Sequence, residues 1–442
     1  MQQPQAQPAE KFSEKFTDHA VNGVNPTEQT ADFVAAHRTE DVRQLALKAK
    51  RVEGLDLPLA LDQIAGWQIA CKKLPQWASC EGIIYPPHIS MEQCSSQFTA
   101  QYKSEIAQTL LTPAVTVRAR MSDSPESDTL VVRSSMVDLT GGFGVDFSYL
   151  ARGFSQATYV ERQRHLCDLA EHNMAALGLD QARIVCGDGV EYLRQMDPVD
   201  FIYLDPARRD EHGSRTYAIE DCTPNVLELR DLLLAKSQCT LVKLSPMLDW
   251  RKAVADFDGT VREVHIVATG NECKELLLVL GQQVHEEPSA PRVFCVNDNQ
   301  RIDYDSAAYT QGLRIGGKPL PEAKNYLYEP NASIMKAGCF DLVEERFGVT
   351  QVGPSSHLFV SATPVADFPG RGFAIEAIGG MNKKDIKRLL NGTKQANIAV
   401  RNFPLTAPQL RKKLKLADGG PVYLFGTTMQ GCDHVLLRTS KI

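Results

Sequence analysis

The sequence predicts an α/β protein: an open, mostly parallel sheet in the middle of the chain, an α-helical region before it and a smaller α+β region after it. Three observations carry this. Residues 137–146, Val-Asp-Leu-Thr-Gly-Gly-Phe-Gly-Val-Asp, read as the end of a buried strand, an acidic residue, a glycine-rich turn and the start of a helix. Glycines at such a turn leave bare backbone, with N–H groups pointing at whatever lies against it. Three short strand patterns follow and each runs into a carboxylate: 157–160 into Glu161, 182–186 into Asp188, and 201–204 into Asp205. The last 75 or so residues alternate strand and helix patterns at short spacing.

Taken in order, residues 1–25 are rich in Gln, Pro and Glu and are expected to form a mobile tail. Over 26–110 the apolar spacing is helical. Phe33, Val34 and Ala36 mark one helix; Thr39 is the expected cap of a second, over 40–50; Pro58 opens a third through Leu61, Ile64 and Trp67. Ser90 and Gln93 fit a capping box for a helix running to about Leu110, so Gln93-Cys94-Ser95-Ser96-Gln97 is expected to be packed helix.

The α/β domain is expected over 111–283. A carboxylate at the Glu161 place can accept hydrogen bonds from both hydroxyls of a ribose, as in nucleotide-binding sheets, and Asp188 could meet an adenine amino group. Asp205 and Pro206 end a fully apolar strand at the edge where such sheets put their chemistry. Lys243, Ser245 and Pro246, ending the fifth strand, should rim an acceptor pocket. Residues 261–268 and 275–280 read as a hairpin with a longer loop at 269–274. A terminal antiparallel hairpin distinguishes this sheet from a nicotinamide-binding one, which continues with parallel strands and crossover helices. A polar, proline-bearing linker over 282–291 leads to an α+β connecting region, 284–368, with short strands at 292–296 and 301–304 and a helix start at Asn331. Within 369–442, strands at 373–378, 396–401, 422–425 and 434–438 enclose helices at 382–390, capped by Asn382, and 406–416: a small βαβαββ sandwich.

Composition bounds the rest. The 442 residues allow two to four domains, and 43% hydrophobic with 23% charged residues is ordinary for a globular protein. No apolar run nears the ~20 residues that span a bilayer. The N-terminus carries no export signal, and eleven scattered cysteines without a Cys-x-x-Cys pair suggest reduced thiols in the cytoplasm and no metal site. The net charge of −6 argues against a uniformly basic nucleic-acid binder, yet between Lys383 and Lys415 ten cations face one acid, Asp385. A local cationic segment on a mildly acidic chain is what a phosphate-contacting surface looks like.

The order of the glycine turn and the three strand-end carboxylates resembles the class I S-adenosylmethionine (SAM)-dependent methyltransferases, whose sheet is Rossmann-like. Asp138 holds the acidic place of that family's turn, Thr140 the first glycine place, and Gly142 and Gly144 the other two. Asp205-Pro206-Ala207-Arg208 resembles the family's Asp-Pro-Pro-aromatic catalytic loop, with Ala207 and Arg208 replacing the last two residues. The C-terminal segment resembles the THUMP-like domain, of ferredoxin-like α+β type, found at the C-terminus of a bacterial family of these enzymes. The resemblance implies SAM as cofactor and RNA, ribosomal or transfer, as substrate. It also implies direct in-line transfer to a base nitrogen. The implied cofactor set is Asp138, Thr140, Gly142, Gly144, Asp146, Glu161, Arg162, Asp188, Gly189 and Asp205; the implied catalytic set is Asp205, Pro206 and Arg208, with Arg208 and Arg209 holding a phosphate or stacking on a base. A covalent route to a pyrimidine carbon needs a pocket cysteine, and Cys222 and Cys239 are the nearest in sequence, neither beside a basic partner. Two other readings stay open: a methyltransferase of a protein or small molecule, and an inactive SAM-fold adaptor. The RNA, the methylated atom and the oligomeric state are not legible.

Overall fold

The computed structural model describes residues 26–48, 53–120, 134–207, 218–281, 290–309, 324–431 and 434–442. The tail expected over 1–25 lies outside them. The chain divides into two compact units, Met1–Val261 with Leu277–Pro288, and Arg262–Leu276 with Ser289–Ile442.

The first unit opens with α1 (Glu28–His37), α2 (Val42–Lys48), α3 (Leu57–Lys73), α4 (Pro75–Ser79), α5 (His88–Gln93) and α6 (Gln97–Arg120). Thr27 caps α1, and Asp56 caps α3 just ahead of Pro58, which has no N–H to lose in a first turn. Two expectations fail here. The side chain that bonds the start of α2 is Asp41, accepting from the Gln44 N–H at 2.9 Å, so Thr39 lies outside the helix. Residues 94–96 are not helix. Ser96 starts a new one instead, its Oγ accepting from the Thr99 N–H at 3.2 Å.

The sheet of this unit is built from β1 (Ser135–Asp138), α7 (Val145–Leu150), β2 (Gln156–Glu161), α8 (Arg164–Ala176), β3 (Ala182–Cys186), α9 (Gly189–Gln195), β4 (Val199–Leu204), α10 (Val226–Lys236), β5 (Ser237–Leu244) and α11 (Trp250–Asp256). β3, β2, β1, β4 and β5 stand in that order, each pairing parallel to the next. Burial on both faces explains the unbroken apolar runs: Met136, Val137, Phe201 and Ile202 are inside. The strand order reverses between β1 and β4, and a crevice opens outside their carboxyl ends. Helices of the N-terminal region dock against this layer through buried hydrogen bonds. The Asn173 side chain of α8 accepts from the Ile84 N–H and donates to its carbonyl, both at 2.9 Å, and Trp77 Nε1 donates to Ser148 Oγ of α7 at 3.1 Å.

The expected hairpin is β6 (Val261–Thr269) and β7 (Glu272–Leu280). Its turn is two residues, not six: Gly270 and Asn271 both sit at positive φ, 58° and 63°, as a type I′ turn requires. It does not end the sheet. The strand order continues from β5 through β7 and β6 to β8 (Arg292–Asn297), parallel to β6, and β9 (Gln300–Asp305), nine strands in all.

In the second unit β10 (Tyr326–Pro330), α12 (Ala332–Ala337), α13 (Phe340–Phe347), β11 (Thr350–Gln351) and β12 (Phe359–Ser361) precede β13 (Gly370–Gly379), α14 (Lys383–Leu390), β14 (Asn397–Arg401), α15 (Ala407–Leu414), β15 (Val422–Thr428) and β16 (His434–Lys441). These strands form one seven-stranded sheet, β11-β12-β10-β13-β16-β15-β14, so the strands expected over 369–442 share their sheet with β10, β11 and β12. Asn331, Asn382 and Thr406 cap α12, α14 and α15, the last with a complete capping box. Leu389 of α14 and Leu410 and Leu414 of α15 share one apolar cluster with Leu424 and Leu436, so both helices cover the same face of the sheet. Phe373, Phe425 and Leu437 pack in a separate cluster with Leu327 and Val360.

Candidate active site

At the β1/β4 switch point lies a cavity of about 220 Å³. The glycine turn forms much of its wall: Asp138, Thr140, Gly142, Gly144 and Asp146 line it, together with Asp205 from the end of β4 and Lys243 from β5. Gly142 sits at φ +54°, a conformation that favours glycine, and a Cβ there would meet the Thr140 carbonyl oxygen at 3.7 Å. Gly141 serves packing instead, since a Cβ would meet the Tyr159 ring at 2.2 Å.

Thr140, at the first glycine place, has a reason to be there. Its N–H donates to Asp138 Oδ1 at 2.9 Å, and its Oγ1 accepts from the Asp205 N–H at 2.7 Å, tying the ends of β1 and β4 together. Burial pushes the Asp138 carboxyl well above its ordinary range; the Thr140 N–H opposes this, and the nearby Asp146, Asp205 and Glu161 reinforce it. Among the described residues no cation is paired with Asp138.

Asp146 behaves differently. Burial works against its charge, but Lys103 and Lys243, with the hydroxyls of Tyr203 and Ser95, hold it down to about 2. Lys103 Nζ is 3.1 Å from Oδ1 and Lys243 Nζ 3.6 Å from Oδ2; Tyr203 donates to Oδ2 at 2.7 Å and Ser95 at 2.8 Å. Lys243 Nζ also donates to Asp205 Oδ2 at 2.6 Å. Oδ2 of Asp146 thus accepts from two of the protein's own hydroxyls, while the ion pair with Lys103 stands at Oδ1.

The remaining expected residues stand around this cavity or apart from it. Glu161 is not in its lining; it braces the turn, Oε2 accepting from the Gly142 N–H at 3.0 Å and Oε1 from the Gln163 N–H at 2.9 Å. Arg162 is exposed, and Pro206 does not line the cavity. Asp188 caps α9, its Oδ1 accepting from the Val190 and Glu191 N–H groups. Gly189 lets α9 approach β1's loop, where a Cβ would meet the Leu139 carbonyl oxygen at 2.1 Å. Arg208 and Arg209 lie outside the described residues. Cys222 and Cys239 are buried away from the cavity.

Sequence reasoning missed the contribution of the N-terminal helices. Ser90, Gln93, Cys94 and Ser95 line the cavity, in the segment expected to be packed helix. Burial raises the Cys94 thiol, which makes it a poor nucleophile. Lys103 was legible in principle: it falls on the apolar stripe of α6 with Ala100, Ile106 and Ala107, and is fully buried. Among the described residues no group of three His, Cys, Asp or Glu side chains could hold a metal, and no helix is long and apolar enough to cross a membrane.

On the second unit, Lys383, Lys384 and Lys387 of α14, Lys412 and Lys413 of α15, and Lys394 and Lys415 beside them are exposed, with no carboxylate partner among the described residues. The arginines of the segment are committed: Arg388 to Asp385, Arg401 to Glu329 and Arg411 to Asp418.

Residues 326–369 match a ferredoxin-like domain family and 370–441 a THUMP domain-like family. A crystal structure from Porphyromonas gingivalis W83 of a protein assigned as a methyltransferase is 31% identical, with a TM-score of 0.77, covering 93% of this chain and 97% of that one. A SAM-dependent methyltransferase from Agrobacterium tumefaciens matches at 16% identity and TM-score 0.29, over 42% of this chain and 61% of that one. An rRNA methylase from Streptococcus thermophilus matches at 15% and 0.26, over 34% and 88%. No curated protein matches the sequence. With a relative this similar along nearly its whole length, and a THUMP-like module at its end, the chain belongs to the family of class I SAM-dependent methyltransferases that carry a C-terminal THUMP-like domain.

Proposed function

We propose that the chain methylates a nucleotide of RNA by direct in-line transfer from SAM. The observation that carries the RNA part is the set of seven exposed lysines on and beside α14 and α15, without a carboxylate partner among the described residues, in a module that matches a THUMP-like family and whose two helices cover one face of its sheet. Unpaired surface cations bind a phosphate backbone by releasing its counterions. The module proposed for this role is 369–442, joined through 284–368 to a catalytic domain over 111–283. An RNA substrate puts its place of work in the cytoplasm.

The residues at the switch point fit the cofactor. Asp138, buried among carboxylates, suits the methionine ammonium, and the backbone at Gly142, where a Cβ would meet nothing nearer than 3.7 Å, suits its close approach, while Gly144 packs against Met174. Glu161, with Arg162 beside it, takes the ribose, and Asp188 with Gly189 the adenine. Asp146 acts on this site through Lys103 and Lys243 rather than by touching the donor. When bound, SAM supplies a methyl group on a sulfonium. The protein's part is alignment and exclusion of water. Asp205 meets the acceptor: a carboxylate there can aim a base nitrogen, the acceptor that the Asp-Pro loop implies, or take the proton of a hydroxyl. The test is methyl transfer from labelled SAM to RNA extracted from cells lacking the protein. Incorporation into RNA and not into protein or small molecules is expected. Labelled protein with unlabelled RNA would overturn the reading.

A further inference from the structure

The buried charges behind Asp205 bear on which atom is methylated. Lys243 and Lys103 both reach Ser95 Oγ, at 3.2 Å each, and both stand against Asp146. Lys103 comes from α6, Ser95 from the loop before it, Asp146 from α7, Lys243 from β5 and Asp205 from the loop after β4, so five elements or loops converge on one group of side chains. Lys103 is completely buried, and Lys243 is 9% exposed where it meets the cavity. Alignment of a methyl acceptor needs none of this: a carboxylate or a carbonyl suffices to aim a lone pair.

The charge balance discriminates between acceptors. The two ammonium groups face two carboxylates, Asp146 and Asp205, so the resting cluster is balanced, and a neutral base nitrogen gains nothing from its lysines as it takes the methyl group. An oxygen that gives its proton to Asp205 leaves the Lys243 ammonium uncompensated beside it, and that charge stabilises the attacking anion. We propose that the acceptor is a ribose hydroxyl of the RNA, held between Asp205 and Lys243, with Ser95, Asp146 and Lys103 fixing Lys243 in place. The inference rests on the RNA methyltransferase reading.

The balance is simple. The hydroxyl O–H bond breaks and its proton goes to Asp205. The oxygen keeps the electron pair, with the Lys243 ammonium beside it, and that pair forms the new C–O bond. The electrons of the broken sulfur–carbon bond stay on sulfur, giving a neutral thioether. Asp205, whose side chain is 37% exposed, returns the proton to water. Lys243 keeps its three protons throughout and acts as an electrostatic partner of the oxygen.

Two measurements test this. Total RNA from cells with and without the protein is digested to nucleosides and fragmented in a mass spectrometer. A nucleoside one methyl heavier, whose free base fragment is unmodified, is the expected result. The extra methyl on the base fragment would overturn the hydroxyl acceptor and leave RNA methylation standing; no difference in the RNA at all would overturn RNA methylation itself. The second measurement is calorimetric binding of the demethylated cofactor to Lys243→Ala, beside its turnover. Affinity within about threefold of the wild type, with kcat down by a hundredfold or more, is expected. Loss of affinity equal to the loss of turnover would make Lys243 a cofactor ligand and overturn its placement at the acceptor. The wild-type nucleoside digest decides the acceptor even where the variant fails to fold.

Discussion

Asp138 and Asp146 are eight residues apart, both buried, and their environments drive them in opposite directions. Asp138 has a backbone N–H and other carboxylates for company, so burial dominates; Asp146 has two lysines, so it stays charged. The second arrangement has a consequence for stability. Asp146→Asn takes from Lys103 a carboxylate at 3.1 Å in a fully buried setting, and breaking such a pair by removing one partner costs about 3–5 kcal/mol. Denaturant unfolding of the variant should show a loss of that order; a loss under about 1 kcal/mol would mean the network is not sealed from water. The pH dependence has a definite sign. Asp146 titrates at about 2 in the folded chain against an ordinary 3.8. Its contribution is therefore complete above roughly pH 4 and is lost as pH falls toward about 2. Two further residues carry the chemistry. Asp205→Ala should keep most of the SAM affinity and lose most of the methyl transfer, read by calorimetry beside a turnover assay; wild-type turnover would show that this loop is not the catalytic one. Glu161→Ala should weaken SAM binding at least tenfold, about 1.4 kcal/mol, because it removes both the proposed ribose contact and the brace on Gly142.

At the scale of elements, what the sequence shows depends on how local the determinant is. The glycine turn, the strand-end carboxylates and the cap at Asn382 are set by residues a few positions apart, and each stands where the spacing puts it; Thr406, read as the first residue of its helix, is instead the cap. The α5–α6 loop was misread because Ser90 and Gln93 mimic a capping box while the true start, at Ser96, makes the local bond to Thr99. The lysine network joins positions 95, 103, 146, 205 and 243, and no local pattern links them; only the fold does. Lys243 was placed at the pocket rim by its position at a strand end, but its partners were not legible. Helices α14 and α15 are the reverse case: their cations stand out in the sequence, and the structure adds that both cover one face of the sheet. Changing Lys383, Lys384, Lys387 and Arg388 to Ser should therefore weaken RNA binding and flatten its dependence on salt, with SAM binding unchanged. Changing Arg411, Lys412 and Lys413 to Ser should act the same way. RNA affinity unchanged in both variants would favour a protein or small-molecule substrate.

At the scale of the whole molecule, the seven-stranded sheet limits how the RNA-binding role can be tested. The obvious experiment removes residues 369–442 and asks whether activity survives. In the structure β13 pairs with β10 over five residues, Tyr326↔Ala374 to Pro330↔Gly370, and Phe373 sits in the cluster that buries Leu327, Leu358 and Val360. A chain ended at residue 368 would leave β10 as a bare strand edge with its apolar face uncovered, the arrangement that leads to edge-to-edge association. We expect that truncation to aggregate or to lose cooperative unfolding of the second unit, while variants that change only the exposed lysines of α14 and α15 to Ser unfold as the full chain does. Light scattering and thermal unfolding of the two kinds of variant side by side check this. A monomeric, cooperatively unfolding truncation would show that residues 324–361 hold together without β13, and lost activity in it could then be assigned to lost RNA contacts rather than to a broken sheet.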